Sequence, residues 1–448
     1  MFFSYQFTGI LENTRMRNTA RALLLTGFLL LPAVLFAQFN NNTTSPFSRF
    51  GLGDLHPQTF GRTAAMGGAT LGSRNSQQIN FANPASYTSV DTLSFLFEFG
   101  LNGKFSSYKN DLGKFSANDV NFRYMAMSFP ISDRIAVGLG LTPYSDVGYD
   151  ISVRDSLAYA GNINYQYFGD GSLSRAFIGV AVEPVKNFSV GANLFYFFGT
   201  LSRNGMVTFP DYNDTYSIQK NDEIRIRDVG ANFGIQATLP MKNDQWITFG
   251  ATLENRPRFT AFYSDITLKS ISYYDYSSQQ SYTDADTISY HEQEKGKVRL
   301  PLSAGIGVSY VKKNKLELNA DYSYQAWSKA TFPSDVSYEL LKDRSIVAIG
   351  GEIIPDRFSI RSYTQRVAYR AGLKYEDSYL LINNQHIKDF GMSFGVGLPV
   401  YRSNSTVNIS AEIGRRGSTK NNLIRENYLK MNMSVNLYDL WFIKRRFD

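Results

Sequence analysis

The side chains best suited to chemistry are few in this chain and far apart. It carries three histidines and no cysteine among its 448 residues. His56, His291 and His386 show no His-x-x-x-His spacing, which is what lets one helix face hold a metal, so each reads as a surface or loop residue and no metal site is expected. The absence of thiols removes disulfides, thiolate nucleophiles and sulfur-ligated clusters. Glu317, Asp321 and Glu412, with Lys430, offer carboxylates and an amine, and paired carboxylates can do acid and base catalysis. No serine, histidine and acid can be singled out as a nucleophilic set beside them. These charges read instead as groups facing a watery interior, and no catalytic residue, cofactor or enzyme activity is expected.

The elements that would hold them are strands. Residues from about 93 onward alternate with period two, segment after segment. In 302–310, Leu302, Ala304, Ile306, Val308 and Tyr310 point one way and Ser303, Gly305, Gly307 and Ser309 the other. In 316–326, Leu316, Leu318, Ala320, Tyr322, Tyr324 and Ala326 oppose Glu317, Asn319, Asp321, Ser323 and Gln325. The same holds for Ile135 to Leu141, Phe390 to Leu398, Val407 to Ile413 and Leu429 to Leu437. One face suits hydrocarbon and the other suits water.

Composition agrees. The chain has 29 Tyr, 34 Phe and 35 Gly, and its mean hydropathy of -0.25 is too polar for a bundle of membrane-spanning helices. Aromatics at 15% suit a barrel with girdles at both lipid interfaces. The formal charge of +7 comes from basic residues scattered among acidic ones. The one local cluster, Lys444, Arg445 and Arg446, reads as a solvated end or a contact with anionic membrane lipids, and no nucleic-acid partner is expected.

Residues 22–36 form a mostly apolar run behind Arg15, Arg17 and Arg21, with a small residue, Ala37, at the expected cut. That is the pattern of a secretory signal peptide, with Met16 as a plausible true start, and no cysteine follows to make a lipoprotein. The expected plan is a signal peptide over 1–37, an N-terminal hatch or plug over 38–92, a transmembrane antiparallel β-barrel over 93–440 and a periplasmic tail over 441–448.

Short connections at 130–134, 183–187, 240–245, 311–315 and 400–405 interleave with long polar ones at 107–119, 152–161, 205–223, 271–295, 328–343, 377–386 and 417–426, the alternation of periplasmic turns and extracellular loops. The connection 355–365 is longer than its short partners. About fourteen strands result, an all-β fold with both ends on one side. Two points stay open: 162–182 and 247–268 could each be one strand or two, with Arg256-Pro257-Arg258 as a break in the latter. The setting implied is the outer membrane of a Gram-negative bacterium.

Residues 61–69 read Gly-Arg-Thr-Ala-Ala-Met-Gly-Gly-Ala and residues 80–85 read Asn-Phe-Ala-Asn-Pro-Ala. This resembles the hatch of the FadL-type family of outer-membrane transporters for hydrophobic compounds. Leu300-Pro301-Leu302 through Tyr310, then Ala320-Asp321-Tyr322 and Trp327-Ser328, are similar to a hairpin of the same family. Val137-Gly138-Leu139-Gly140 with Pro143-Tyr144 is similar to its third strand, although Pro143-Tyr144-Ser145 stands where the family has Pro-Phe-Gly. The opening over 45–51, Ser-Pro-Phe-Ser-Arg-Phe-Gly, reads as a subgroup feature.

The resemblance implies hatch residues Asn80, Phe81, Asn83 and Pro84, and a lateral opening in the wall at Pro143 and Tyr144. It implies passive uptake of hydrophobic small molecules such as long-chain fatty acids. The alternative is a non-transporting barrel subunit of a protein secretion or outer-membrane assembly complex, whose partners would be proteins.

Overall fold

In a computed structural model, residues 43–111, 113–158, 161–212, 215–255, 258–275, 280–332 and 341–440 are described. The expected signal peptide, the alternative start at Met16 and the basic tail lie outside them. Among the described residues no helix is long and apolar enough to cross a membrane.

A short strand, β1 (Asp54–Leu55), precedes the wall. The wall begins with β2 (Ser94–Lys109), β3 (Lys114–Ser132), β4 (Ile135–Leu157), β5 (Gly161–Val185), β6 (Phe188–Thr208) and β7 (Ser217–Met241). It continues through β8 (Gln245–Glu254), β9 (Arg258–Asp275), β10 (Gln280–Arg299), β11 (Ser303–Lys312), β12 (Leu316–Gln325) and β13 (Arg344–Ile353). β14 (Ala368–Ile382), β15 (Gln385–Pro399), β16 (Thr406–Gly417) and β17 (Arg425–Leu440) complete it. All the ladders are antiparallel, and β17 pairs with β2 from Leu440↔Ser94 to Arg425↔Lys109, which closes the ring.

β8 and β9 both run along β7 and count as one wall strand, as do β10 and β11 beyond them. The result is a closed barrel of 14 strands. The interruption falls where the sequence placed a break; of that triplet only Arg258 is described, and it starts β9. On the adjoining strand the matching interruption is Leu300-Pro301-Leu302, where proline has no N–H to give to the ladder. The segment 162–182 lies within the single strand β5.

Outward positions are the apolar ones read from the sequence: Ile306, Leu318, Tyr322, Ile413, Met433 and Leu437 are all exposed. Their partners in the pattern, Glu317, Asn319, Asp321, Ser410 and Ser434, are buried on the inside. The five short turns read from the sequence lie at the end that holds Ser94 and Leu440, here the terminal end.

At the far end the structure departs from expectation. The polar stretches 152–161, 205–223, 271–295 and 377–386 are mostly strand, not loop: β4 runs to Leu157, β6 to Thr208, β9 to Asp275 and β14 to Ile382. Ladder hydrogen bonds need only backbone, so pairing continues where both faces are wetted and the hydropathy alternation has faded. Between β14 and β15 only Asn383 and Asn384 intervene, at φ 49 and 57, the left-handed pair that a tight hairpin turn requires. The strands of the β4 to β10 side are the long ones, so the far rim stands higher there than over β11 to β16.

Candidate functional site

The interior is filled by the chain's own N-terminal segment, in two layers. The layer nearer the terminal end spans about 59–90. It presses on the inner wall where the wall has no side chains, with backbone at Gly191, Gly250, Gly350 and Gly372, the Tyr87 ring at Gly138 and the Ala65 methyl at Gly395: a Cβ added at any of the six would fall between 2.0 and 2.7 Å from the segment's atoms. These six glycines are thus seats for this layer, on a side that the sequence pattern alone read as water-facing.

The residues expected in a hatch lie here. Asn83 caps the short 3-10 turn Pro84–Ser89 by accepting from the Ala85 N–H at 3.2 Å, and its amide donates to the Leu71 carbonyl at 2.8 Å. The Asn80 amide donates to the Thr70 carbonyl at 2.7 Å. The backbone on either side is held by the wall, since Asn193 donates to the Phe81 carbonyl at 2.9 Å and Asn232 to the Ala82 carbonyl at 3.1 Å. Phe81 packs against Phe60 and Phe177, with ring centroids 4.6 and 5.4 Å away, and Phe60 stacks on Tyr124.

Charge fastens the same layer. Arg62, from the Gly61-Arg62 motif, is buried between Glu317 at 2.5 Å and Glu352 at 2.8 Å, and Arg370 shares Glu352 at 2.6 Å. Asp321 accepts from the Thr70 and Leu71 N–H groups at 2.5 and 2.7 Å. Glu317 and Asp321 do point inward as expected, but they are consumed in anchoring the plug. Glu412 lies 3.4 Å from Lys374 and 3.7 Å from Lys430.

The second layer, 43–57, crosses the lumen nearer the far end. The Arg203 guanidinium donates to the Arg49 and Gly51 carbonyls, and the Tyr379 hydroxyl donates to the Gly53 carbonyl at 2.5 Å. Arg416 pairs with Asp54 at 2.7 Å and lies 4.5 Å over the Phe47 ring. Burial pushes the Asp54 carboxyl up, but Arg416 and Lys104 outweigh it and hold it at about 2 against an ordinary 3.8. This layer contains the 45–51 subgroup feature of the sequence, and its role had no sequence signal beyond that departure from the family pattern.

The same layer meets the wall where the wall parts. The β3–β4 ladder ends at Met125↔Leu141. Beyond it β3 keeps only β2, while β4 keeps β5 on one side and β1 on the other, through Leu55↔Ser145 and Asp54↔Asp146. Pro143 and Tyr144 stand just past the last rung, at a register shift against β5. The Tyr144 ring turns inward, edge-on to Phe197 at 5.2 Å, and its carbonyl accepts from the His56 N–H at 2.9 Å.

The Ser48 hydroxyl bonds Gly148 at 3.0 Å, so the N-terminal segment satisfies the β4 lip from Tyr144 to Gly148. On the opposite lip Thr44 donates to Asp119 at 2.8 Å. His56 is therefore not a loop histidine on the surface: its Nε2 lies 2.5 Å from the buried Asp146 carboxylate. Its position in the sequence gave no hint of that partner, 90 residues away. His291 and His386 are exposed, on β10 and β15 respectively.

Between the layers lies a cavity of about 220 Å³. Lys104, Arg123, Lys374 and Lys430 line it together with Asp146, Glu254 and Glu412. The apolar part of the interior, around Phe177, Phe195, Phe197 and Phe259, is closely packed and buried.

Three solved structures have this architecture. The Ralstonia pickettii toluene transporter TbuX superposes with a TM-score of 0.53 at 14% identity, over 85% of this chain and 98% of that one. The Pseudomonas putida toluene transporter TodX gives 0.53 at 15%, over 87% and 99%. The monoaromatic hydrocarbon channel CymD gives 0.52 at 13%, over 87% and 98%. At such identities the likeness establishes the fold, that of FadL-type channels for hydrophobic compounds. No curated protein matches the sequence. A family model described as BamG matches residues 20–448.

Proposed function

The chain belongs to the BamG family, and from that premise we propose that it is a plugged FadL-type barrel of the Gram-negative outer membrane, working as a subunit of a protein secretion or outer-membrane assembly complex and transporting nothing. The observation that carries this reading is the second layer, 43–57, which crosses the lumen and also occupies the lips of the lateral gap. It leaves a chamber of about 220 Å³ with charges of both signs. Pockets for apolar ligands are typically about 300–1,000 Å³ and mostly hydrophobic. A long acyl chain would have to displace paired charges to lie there, and those charges have no comparable partner to take instead.

A second reading, passive uptake of apolar compounds, is favoured by the fold shared with the toluene and monoaromatic hydrocarbon proteins and by the parting of β3 from β4 at Pro143 and Tyr144. It requires the 43–57 layer to move. In this reading Asn80, Phe81, Asn83 and Pro84 shape the floor of the chamber and Pro143 and Tyr144 frame the exit.

Purification in mild detergent followed by mass spectrometry separates the two. The subunit reading expects other proteins at stoichiometric amounts. A bound acyl chain or hydrocarbon with no protein partner would overturn it in favour of uptake.

A further inference from the structure

The terminal end of the barrel has a feature that neither reading uses. A cleft of about 560 Å³ opens there. Its floor is Arg62, Gln77 and Gln78 of the N-terminal segment, and its inner side is made of the inward wall residues Arg370, Asn408 and Asn436. Its rim is Arg357, Phe358 and Arg366, from the long connection between β13 and β14, and Val400 and Arg402, from the β15–β16 turn.

Five arginines therefore line the cleft, against the carboxylates of Glu352 and Asp439. Arg62 and Arg370 both spend themselves on Glu352. The other three have no carboxylate within 4.0 Å among the described residues. Arg357 donates to the side-chain carbonyls of Gln77 at 2.6 Å and Asn314 at 3.3 Å. Arg366 lies 5.2 Å over the Tyr363 ring, and its buried Nε has no hydrogen-bond partner. Arg402 lies 5.1 Å over the Tyr401 ring.

Apolar groups stand beside these charges. Phe358, Ile360 and Tyr401 are 74%, 97% and 72% exposed. All three lie on connections and not on the wall strands that cross the hydrocarbon band, and Phe358 lines the cleft itself. Exposed aromatic residues together with arginine are what protein interfaces are enriched in.

We propose that this mouth is a docking site for an acidic segment of a partner protein, with carboxylates on Arg357, Arg366 and Arg402 and an apolar side chain against Phe358 and Val400. Arginine's fork suits the planar, two-oxygen geometry of a carboxylate. A lipid headgroup offers negative charge too, but the floor and inner side of the cleft are the N-terminal segment and the inward wall residues Arg370, Asn408 and Asn436, inside the ring of strands, whereas headgroups line the perimeter. The inference deepens the subunit reading by giving the chemistry of one partner contact, and it can fail alone: a complex that co-purifies intact while an acidic probe peptide does not bind would sink this site and leave the subunit reading standing.

The probe is a fluorescein-labelled decapeptide of aspartate and glutamate around a central phenylalanine, titrated into the full chain in zwitterionic detergent, with its asparagine and glutamine counterpart as control. Saturable binding is expected for the acidic peptide only, weakening as salt is added and at least tenfold weaker when Arg357→Ala, Arg366→Ala and Arg402→Ala are combined. Retention of heat-modifiable migration on gels reports that the triple variant folds; should it not, Arg402→Glu alone, on an exposed turn, carries the comparison. Equal binding of both peptides, indifference to the substitutions, or displacement of the peptide by phosphatidylglycerol at equimolar amounts would each overturn the proposal, the last in favour of a lipid site.

Discussion

Arg62 shows how a single residue ties the plug to the wall. Its guanidinium is buried between Glu317 on β12 and Glu352 on β13, and Ser73 of the same N-terminal segment donates to Glu317 at 2.7 Å. A buried pair of this sort adds little over a well-packed apolar substitute, but removing one partner strands the other charge and costs about 3–5 kcal/mol. Arg62→Met is therefore expected to destabilise the folded barrel by about that amount, read from urea unfolding in detergent micelles. Arg370 stays beside Glu352, so Glu317 is the group left without its cation, and Arg62→Met combined with Glu317→Gln should recover part of the loss. A single variant within about 1 kcal/mol of the parent would show that the ion pairs do not hold the layer in place.

At the scale of elements, the decisive piece is β1, two residues long. It has no stability of its own and exists because the β4 edge, left open where β3 departs, supplies the backbone partners that an edge strand lacks. Leu55 and Ser145 face each other across this pairing. Cysteines placed at Leu55→Cys and Ser145→Cys should join under mild oxidation without loss of the folded form, since directly opposed antiparallel residues have Cα atoms about 4.5–5.5 Å apart, within the span of a disulfide. Cells carrying the locked barrel are expected to grow as the parent does if it is a structural subunit. A defect that appears on oxidation and disappears on reduction would instead mean that the layer must leave the gap, as uptake requires.

At the scale of the whole molecule, the barrel turns its apolar side outward over its circumference, with Ile178, Leu194, Ile235, Ile306 and Met433 among the exposed residues. Closure leaves no unpaired edge around the lower wall, but it leaves that apolar band to be covered by amphiphile. Folded protein made without residues 1–37 is expected to stay monodisperse in detergent and to aggregate when the detergent is removed, as followed by sedimentation or light scattering. A folded monomer that persists in plain buffer would contradict the membrane assignment. The uneven far rim, high over β4 to β10, is a second consequence of global geometry, because those hairpins continue pairing after the lipid-facing pattern has ended.

Much of this was legible without coordinates, for a simple reason: side-chain direction alternates along any strand, so a chain that divides lipid from lumen must write that division at period two. Leu302 to Tyr310 and Leu316 to Ala326 did so clearly enough to give the barrel, the inward set Glu317 and Asp321, and the turns at the terminal end. What period two cannot write is which distant backbone meets which. That Gly250 and Gly372 are seats for the plug, that His56 finds Asp146, that 45–51 bridges a parted wall, and that polar hairpins stay paired above the membrane all depend on contacts between segments far apart in the chain. Those contacts were decided only when the ring closed around its own N-terminal segment, because close packing inside a barrel is a property of the enclosed volume and not of any one strand.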